Sequence, residues 1–190
     1  MIRLGLLGST RGTHLLTLAD AIQHSRLAAS IAVVISNKAD ALILKRAATL
    51  GLPAQFVDAQ GLTREAYDQK ISSLLSDYAV DLVVLMGYMR ILSTEFVTTW
   101  KNKIINVHPS LLPAFAGKMD LDVHRAILAA HLKESGCTVH YVTQAIDAGP
   151  IIVQKKCPVL SNDTPESLKQ RVQQLEGQAL IEAIKMCRVD

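Results

Sequence analysis

Residues Leu82–Met86 read LVVLM and stop at Gly87. Five consecutive apolar residues are too short for a helix and show no alternation. The run is therefore a strand covered on both faces, which is the mark of a parallel sheet with helices above and below it. Ile104–His108 is a second such run, apolar until Asn106. The segments around them alternate in type. Ile2–Gly8 reads as a buried strand, Thr13–Ser25 as an amphipathic helix, Leu27–Ser36 as a strand, and Ala41–Leu50 as a helix closed by Gly51. Gln55–Asp58 is a short strand, Thr63 caps a helix running to about Tyr78, and Ser93 opens another. Strand–helix alternation with short connections predicts an α/β fold with a doubly wound, mostly parallel sheet and helices on both faces. Beyond residue 130 the pattern changes. Cys137–Val142 alternates, Ile151–Val159 is a second extended run, and the loop Thr143–Pro150 joins them, so at least one strand of the C-terminal half is expected to be antiparallel. Thr164 and Pro165 open a long last helix with Leu168, Val172, Leu175 and Ala179 on one stripe.

A chain of 190 residues is expected to be a single domain, 1–190, with a phosphate-binding βα half over 1–100 and a catalytic half over 101–190. Twenty Lys and Arg against 17 Asp and Glu leave a charge of +3, but the basic residues are scattered, which argues against a nucleic-acid partner. Three cysteines without CxxC spacing indicate neither a disulfide framework nor a zinc site, so no metal is expected. No run approaches the about 18 apolar residues that span a bilayer. The N-terminal apolar run reaches a glycine-rich turn within a few residues. No membrane association is expected, and the cytoplasm is the expected compartment.

Parallel α/β sheets bind ligands at the carboxyl ends of their strands, which directs attention to Gly8–His14, Gly87–Leu92 and His108–Pro113. The first loop, GSTRGTH, satisfies neither G-x-G-x-x-G nor a Walker A pattern. It remains a small-residue turn feeding a helix N-terminus, where free N–H groups favour a phosphate; plain turn chemistry explains Gly12 and Thr13 equally well. In the third, Asn106 and His108 lie two apart on a strand and so share a face, just before the Pro-bounded turn PSLLP. An amide beside an imidazole suits acyl transfer, the amide stabilising an oxyanion and the imidazole exchanging protons. Asp147, in QAIDAGP, is the candidate carboxylate, with an ordinary turn aspartate as the competing reading. A metal held by His108, His140 and Asp147 is a further alternative. Cys137 is read as packing. The sharp reversal at Leu112-Pro113 is expected to use a cis bond.

NVHPSLLP followed about forty residues later by DAGP resembles the folate-dependent formyltransferases. SNKADA (Ser36–Ala41), REAYD (Arg64–Asp68), GYMRIL (Gly87–Leu92) and RVQQLE (Arg171–Glu176) resemble the branch that formylates glycinamide ribonucleotide in purine synthesis. The resemblance implies 10-formyltetrahydrofolate as co-substrate and formyl donor, the glycinamide amine as acceptor, and Asn106, His108 and Asp147 as catalytic residues. It implies that folate lies along Met89, Arg90, Ile91, Leu92 and Val97 and against Thr143, Gln144, Ala145 and Ile146. It further implies that the acceptor is held by Gly12, Thr13, His14, Arg64, Gly87, Gln173 and Glu176. Two segments depart from the family's pattern. The usual Gly-Asn-Gly-Ser-Asn loop is replaced by Ser9–His14, and the segment after Pro113, AFAGKMDLDVH, is about three residues longer, which makes 114–123 an expected longer loop. Formyltetrahydrofolate hydrolysis and formylation of another amine stay open as alternatives, as do a monomer and a homodimer.

Overall fold

The computed structural model describes residues 1–187; residues 188–190, the end of the expected 1–190 domain, lie outside the described residues. The elements follow in the order β1 (Ile2–Leu7), α1 (Thr13–Gln23), β2 (Ala29–Ser36), α2 (Leu42–Thr49), β3 (Ala54–Phe56), α3 (Arg64–Asp77) and β4 (Leu82–Leu85). Then come α4 (Thr94–Thr99), β5 (Ile104–His108), α5 (Asp120–Ala129), β6 (Glu134–Tyr141), β7 (Ile151–Pro158) and α6 (Pro165–Met186). One seven-stranded sheet has the strand order β3-β2-β1-β4-β5-β6-β7. The chain divides into two compact units, Met1–Ile105 and Asn106–Cys187.

In the first unit β1 pairs in parallel with β2 and with β4, and β2 with β3. The order runs outward from β1 in both directions. The loops that leave the carboxyl ends of β1 and its neighbour β4 therefore run in opposite senses, the topological switch point of a doubly wound sheet. The fully apolar runs do what their composition demands: every residue of β4 is buried, as are Leu4, Leu6 and Leu7 of β1 and Val33–Ile35 of β2. In the second unit β6 and β7 are antiparallel, with Ser135 opposite Cys157 and Val139 opposite Val153, so the change in pattern after residue 130 was correctly legible.

Helix ends follow local chemistry. Thr63 accepts a hydrogen bond from Ala66 N–H at the start of α3, and Ser93 does the same for Phe96 N–H in α4. Thr164 and Ser167 form a reciprocal capping box, with Pro165 in the first turn of α6. The segment 114–123, read from sequence as a loop, is corrected at its end, because α5 begins at Asp120. Its cap, Met119, makes no side-chain hydrogen bond, which removed the usual start signal. Asp120 and Asp122 favour the first turn instead, and Val123, His124 and Ile127 supply the buried face.

Candidate active site

Strand β5 ends by delivering Asn106, half-buried, and His108, 4% exposed, from the same face of an otherwise apolar segment. Asp147 comes from the β6–β7 loop with φ 52, a left-handed conformation that aspartate adopts more readily than most residues. Its Oδ2 lies 3.2 Å from His108 Nδ1 and accepts a 2.8 Å hydrogen bond from Gly117 N–H. Its Oδ1 lies 3.6 Å from Nε2 of His140, a buried residue of β6. His140 Nδ1–H donates to the Tyr141 carbonyl at 3.0 Å, so in the neutral ring Nε2 carries the lone pair and accepts from Asn106 Nδ2 at 3.3 Å. The histidine thus fixes which way the Asn106 amide faces, and leaves that amide a second N–H.

His108 has an acceptor at each nitrogen: Asp147 at Nδ1, and the Phe115 carbonyl 3.3 Å from Nε2. Two opposing influences act on its proton. Burial lowers its pKa, the Asp147 charge and the Phe115 carbonyl raise it, and burial prevails, so the ring stays neutral to lower pH than an ordinary histidine. For Asp147 burial acts upward, yet the hydrogen bond from Gly117 N–H and the nearby imidazoles hold its carboxyl below the usual range. A carboxylate kept ionised beside a neutral imidazole can orient that ring and stabilise it once it takes a proton.

The turn behind His108 is set by a residue that gave no functional signal in sequence. Thr138 of β6 is fully buried, and its Oγ1 donates to the Ser110 carbonyl at 2.7 Å while accepting from Leu112 N–H and from Gln154 Nε2, both at 3.0 Å. Gln154 Nε2 also donates to the Leu112 carbonyl at 2.9 Å, and Ser110 Oγ to the Ala114 carbonyl at 2.6 Å. The Leu112-Pro113 bond is cis, as the sequence suggested. Glu176 is buried on α6 and Gln173 half-buried one turn before it; the field of Glu176 acts on His108, His124 and Cys137. Cys137 is fully buried, and burial pushes its thiol up to about 12, in keeping with packing. Thr143, Gln144, Ala145 and Ile146 are exposed, Ile146 to 57%. Among the described residues no group of three His, Cys, Asp or Glu is placed to hold a metal ion; His108 and His140 approach Asp147 directly instead.

In the first unit, the loop after β1 begins α1 at Gly12, φ 59, without a side-chain cap. A Cβ at Gly12 would lie 2.3 Å from Ile43 Cγ1, so packing against α2 already requires glycine there, with or without a phosphate. Thr13 is exposed and His14 buried. At Gly87, φ 60, a Cβ would meet Thr10 Oγ1 at 2.8 Å, so the loops after β1 and β4 approach closely. In the second of these loops Met89 and Ile91 are 48% and 60% exposed and Leu92 is half-buried. Arg90 instead turns inward, its guanidinium carbon 4.3 Å above the ring of buried Tyr67. Val97 is buried in α4, and Arg64 is exposed on α3, paired with Glu65 at 3.2 Å. Asp68, buried on α3, accepts from Ser93 N–H at 2.5 Å and so anchors the far end of the 87–92 loop; burial raises its carboxyl pKa.

Residues 2–184 match the sequence profile of the formyl transferase family. The chain belongs to that family. Among curated formyl transferase relatives, the phosphoribosylglycinamide formyltransferase of Escherichia coli (strain K12) is 40% identical over 169 residues, covering 88% of this chain and 78% of that protein. The trifunctional purine biosynthetic protein adenosine-3 of Drosophila pseudoobscura pseudoobscura is 43% identical over 187 residues, but this chain spans only 14% of its length. The crystal structure of glycinamide ribonucleotide transformylase 1 from Symbiobacterium toebii superposes with a TM-score of 0.92 at 44% identity, covering 97% of this chain and 86% of that one.

Within this formyl transferase chain, the second unit brings together the three residues that the sequence singled out and adds two that it did not assign to acyl transfer. His140 carried a signal only as a possible metal ligand; its place on an alternating strand, three residues after a buried cysteine, looks like core. Thr138 carried none, since a threonine in a strand is ordinary.

Proposed function

We propose that the protein transfers the formyl group of 10-formyltetrahydrofolate to the amine of glycinamide ribonucleotide. The carrying observation is the cluster of Asn106, His140, Asp147 and His108 at the end of an apolar strand, in a family whose similar members include a named phosphoribosylglycinamide formyltransferase. Attack of the amine on the formyl carbon forms one C–N bond, and the bond to folate N10 then breaks. The proton lost by the amine must reach N10. In this reading the free N–H of Asn106 stabilises the oxyanion, neutral His108 takes and returns the proton, and Asp147 orients His108 and stabilises its protonated form.

The exposed apolar side chains of Met89 and Ile91, and separately of Ile146, suit the flat ring of a pterin. Arg90 suits it only through its backbone, since its side chain lies over Tyr67. Backbone N–H groups at Gly12–His14 suit the acceptor phosphate, with Arg64 adding charge; Gln173 and Glu176 take the glycinamide end. No described helix is long and apolar enough to cross a membrane, and we place the activity in the cytoplasm.

Incubation with 10-formyltetrahydrofolate, with and without glycinamide ribonucleotide, tests the reading. Tetrahydrofolate released only with the amine present is the expected result. Release without it would select hydrolysis, and release only with a different amine would reassign the acceptor.

A further inference from the structure

The switch point of a doubly wound sheet leaves two loops diverging from adjacent strands, and something must fix their separation if both are to serve as walls of a site. Here that element is Ser9, 3% exposed, in the loop after β1. Its backbone N–H donates to the Gly87 carbonyl at 3.2 Å. Its Oγ donates to Asn37 Oδ1, at the end of β2, at 2.6 Å, and accepts from Met89 N–H at 2.8 Å. A hydroxyl has one proton. With that proton committed to Asn37, a lone pair is aimed at Met89, so Asn37 sets the direction of the tie. An alanine or glycine at position 9 keeps the contact to Gly87 and loses both others. The far end of the same loop is held independently by Asp68 through Ser93 N–H. Loss of the Ser9 hydroxyl therefore frees Met89 while Ser93 stays in place.

We propose that Ser9 is a positioning residue for folate recognition: its hydroxyl, oriented by Asn37, presents the Met89 backbone and side chain in the binding-competent arrangement, so that binding does not have to order the loop. This rests on the reading that folate lies along Met89–Leu92. Removing the acceptor for the part-buried Met89 N–H is expected to weaken tetrahydrofolate binding to Ser9→Ala by roughly tenfold, read by titration calorimetry. The KM for the formyl donor should rise by a similar factor, while kcat falls by no more than about threefold. Amide exchange gives a second readout that a general loss of stability would not produce. In Ser9→Ala the Met89 N–H should exchange faster, with Ser93 N–H unchanged, and saturating tetrahydrofolate should restore much of the protection. Asn37→Ala leaves the β1 loop intact and should act in the same direction with a smaller effect, which covers the case in which Ser9→Ala fails to fold. Wild-type affinity in both variants, or a collapse of kcat at unchanged KM, would overturn the proposal. Failure of the wild-type protein itself to bind tetrahydrofolate would overturn the functional reading, and Ser9 as a folate-positioning residue with it.

Discussion

Thr138→Val isolates the polar network that shapes the catalytic turn, because valine preserves the side-chain shape and removes only the hydroxyl. Three hydrogen bonds disappear together: to the Ser110 carbonyl, from Leu112 N–H and from Gln154 Nε2. Gln154 keeps the Leu112 carbonyl as an acceptor, so its loss is partial. Leu112 N–H and the Ser110 carbonyl are left buried without this partner, and an unsatisfied buried group costs about 1–3 kcal/mol. Two such groups give roughly 2–6 kcal/mol, against a total stability of about 5–15 kcal/mol for a folded domain. Urea unfolding followed by circular dichroism should show the midpoint falling with the slope unchanged. Thr138→Ser keeps the hydroxyl and should lose only about 1 kcal/mol, the worth of one buried methyl group. Turnover should fall in Thr138→Val even at temperatures where the variant is fully folded, since the turn begins one residue after His108. A Thr138→Val protein within about 0.5 kcal/mol of wild type, the range of ordinary surface substitutions, and with full turnover would refute the reasoning.

The depressed pKa of His108 sets a pH dependence of definite sign. A histidine whose folded pKa lies below the ordinary value of 6.5 contributes stability that is complete above 6.5 and is lost as pH falls through the folded value; Asp147 adds a loss of the same sign below 3.8. If neutral His108 is the base, the acid limb of kcat/KM lies below 6.5, and Asp147→Asn, which removes an upward influence on His108, should shift it further to acid. A limb that stays put or moves to higher pH argues against the pair. Asn106→Ala should lower kcat by roughly 10²–10³, the usual cost of one oxyanion donor, with folate affinity retained by calorimetry; loss of both together would mean that Asn106 shapes the site instead. Gly12→Ala should destabilise by about 1–3 kcal/mol through overpacking against Ile43, and Ile43→Val in the same protein should recover part of the loss. A Gly12→Ala protein as stable as wild type would remove the steric account.

Much of this protein was determined by features that near neighbours in the sequence can carry. Period-two spacing put Asn106 and His108 on one face, an unbroken apolar run made β4 a doubly covered strand, and Ser or Thr at helix starts marked α3, α4 and α6. The candidate carboxylate, Asp147, was legible from its loop and from the family resemblance. What the tertiary structure alone decided is which partners those groups have. The orientation of Asn106 depends on a contact 34 residues apart; the turn after His108 on one 26 residues apart; the placing of Met89 on one 80 residues apart. Arg90 turned onto Tyr67, and α5 formed without a capping side chain. Periodicity reports which side of an element is buried, because burial repeats with backbone geometry. A hydrogen bond is directional and spends a limited number of protons and lone pairs, so its partner is fixed only when the packed chain brings one donor and one acceptor within reach.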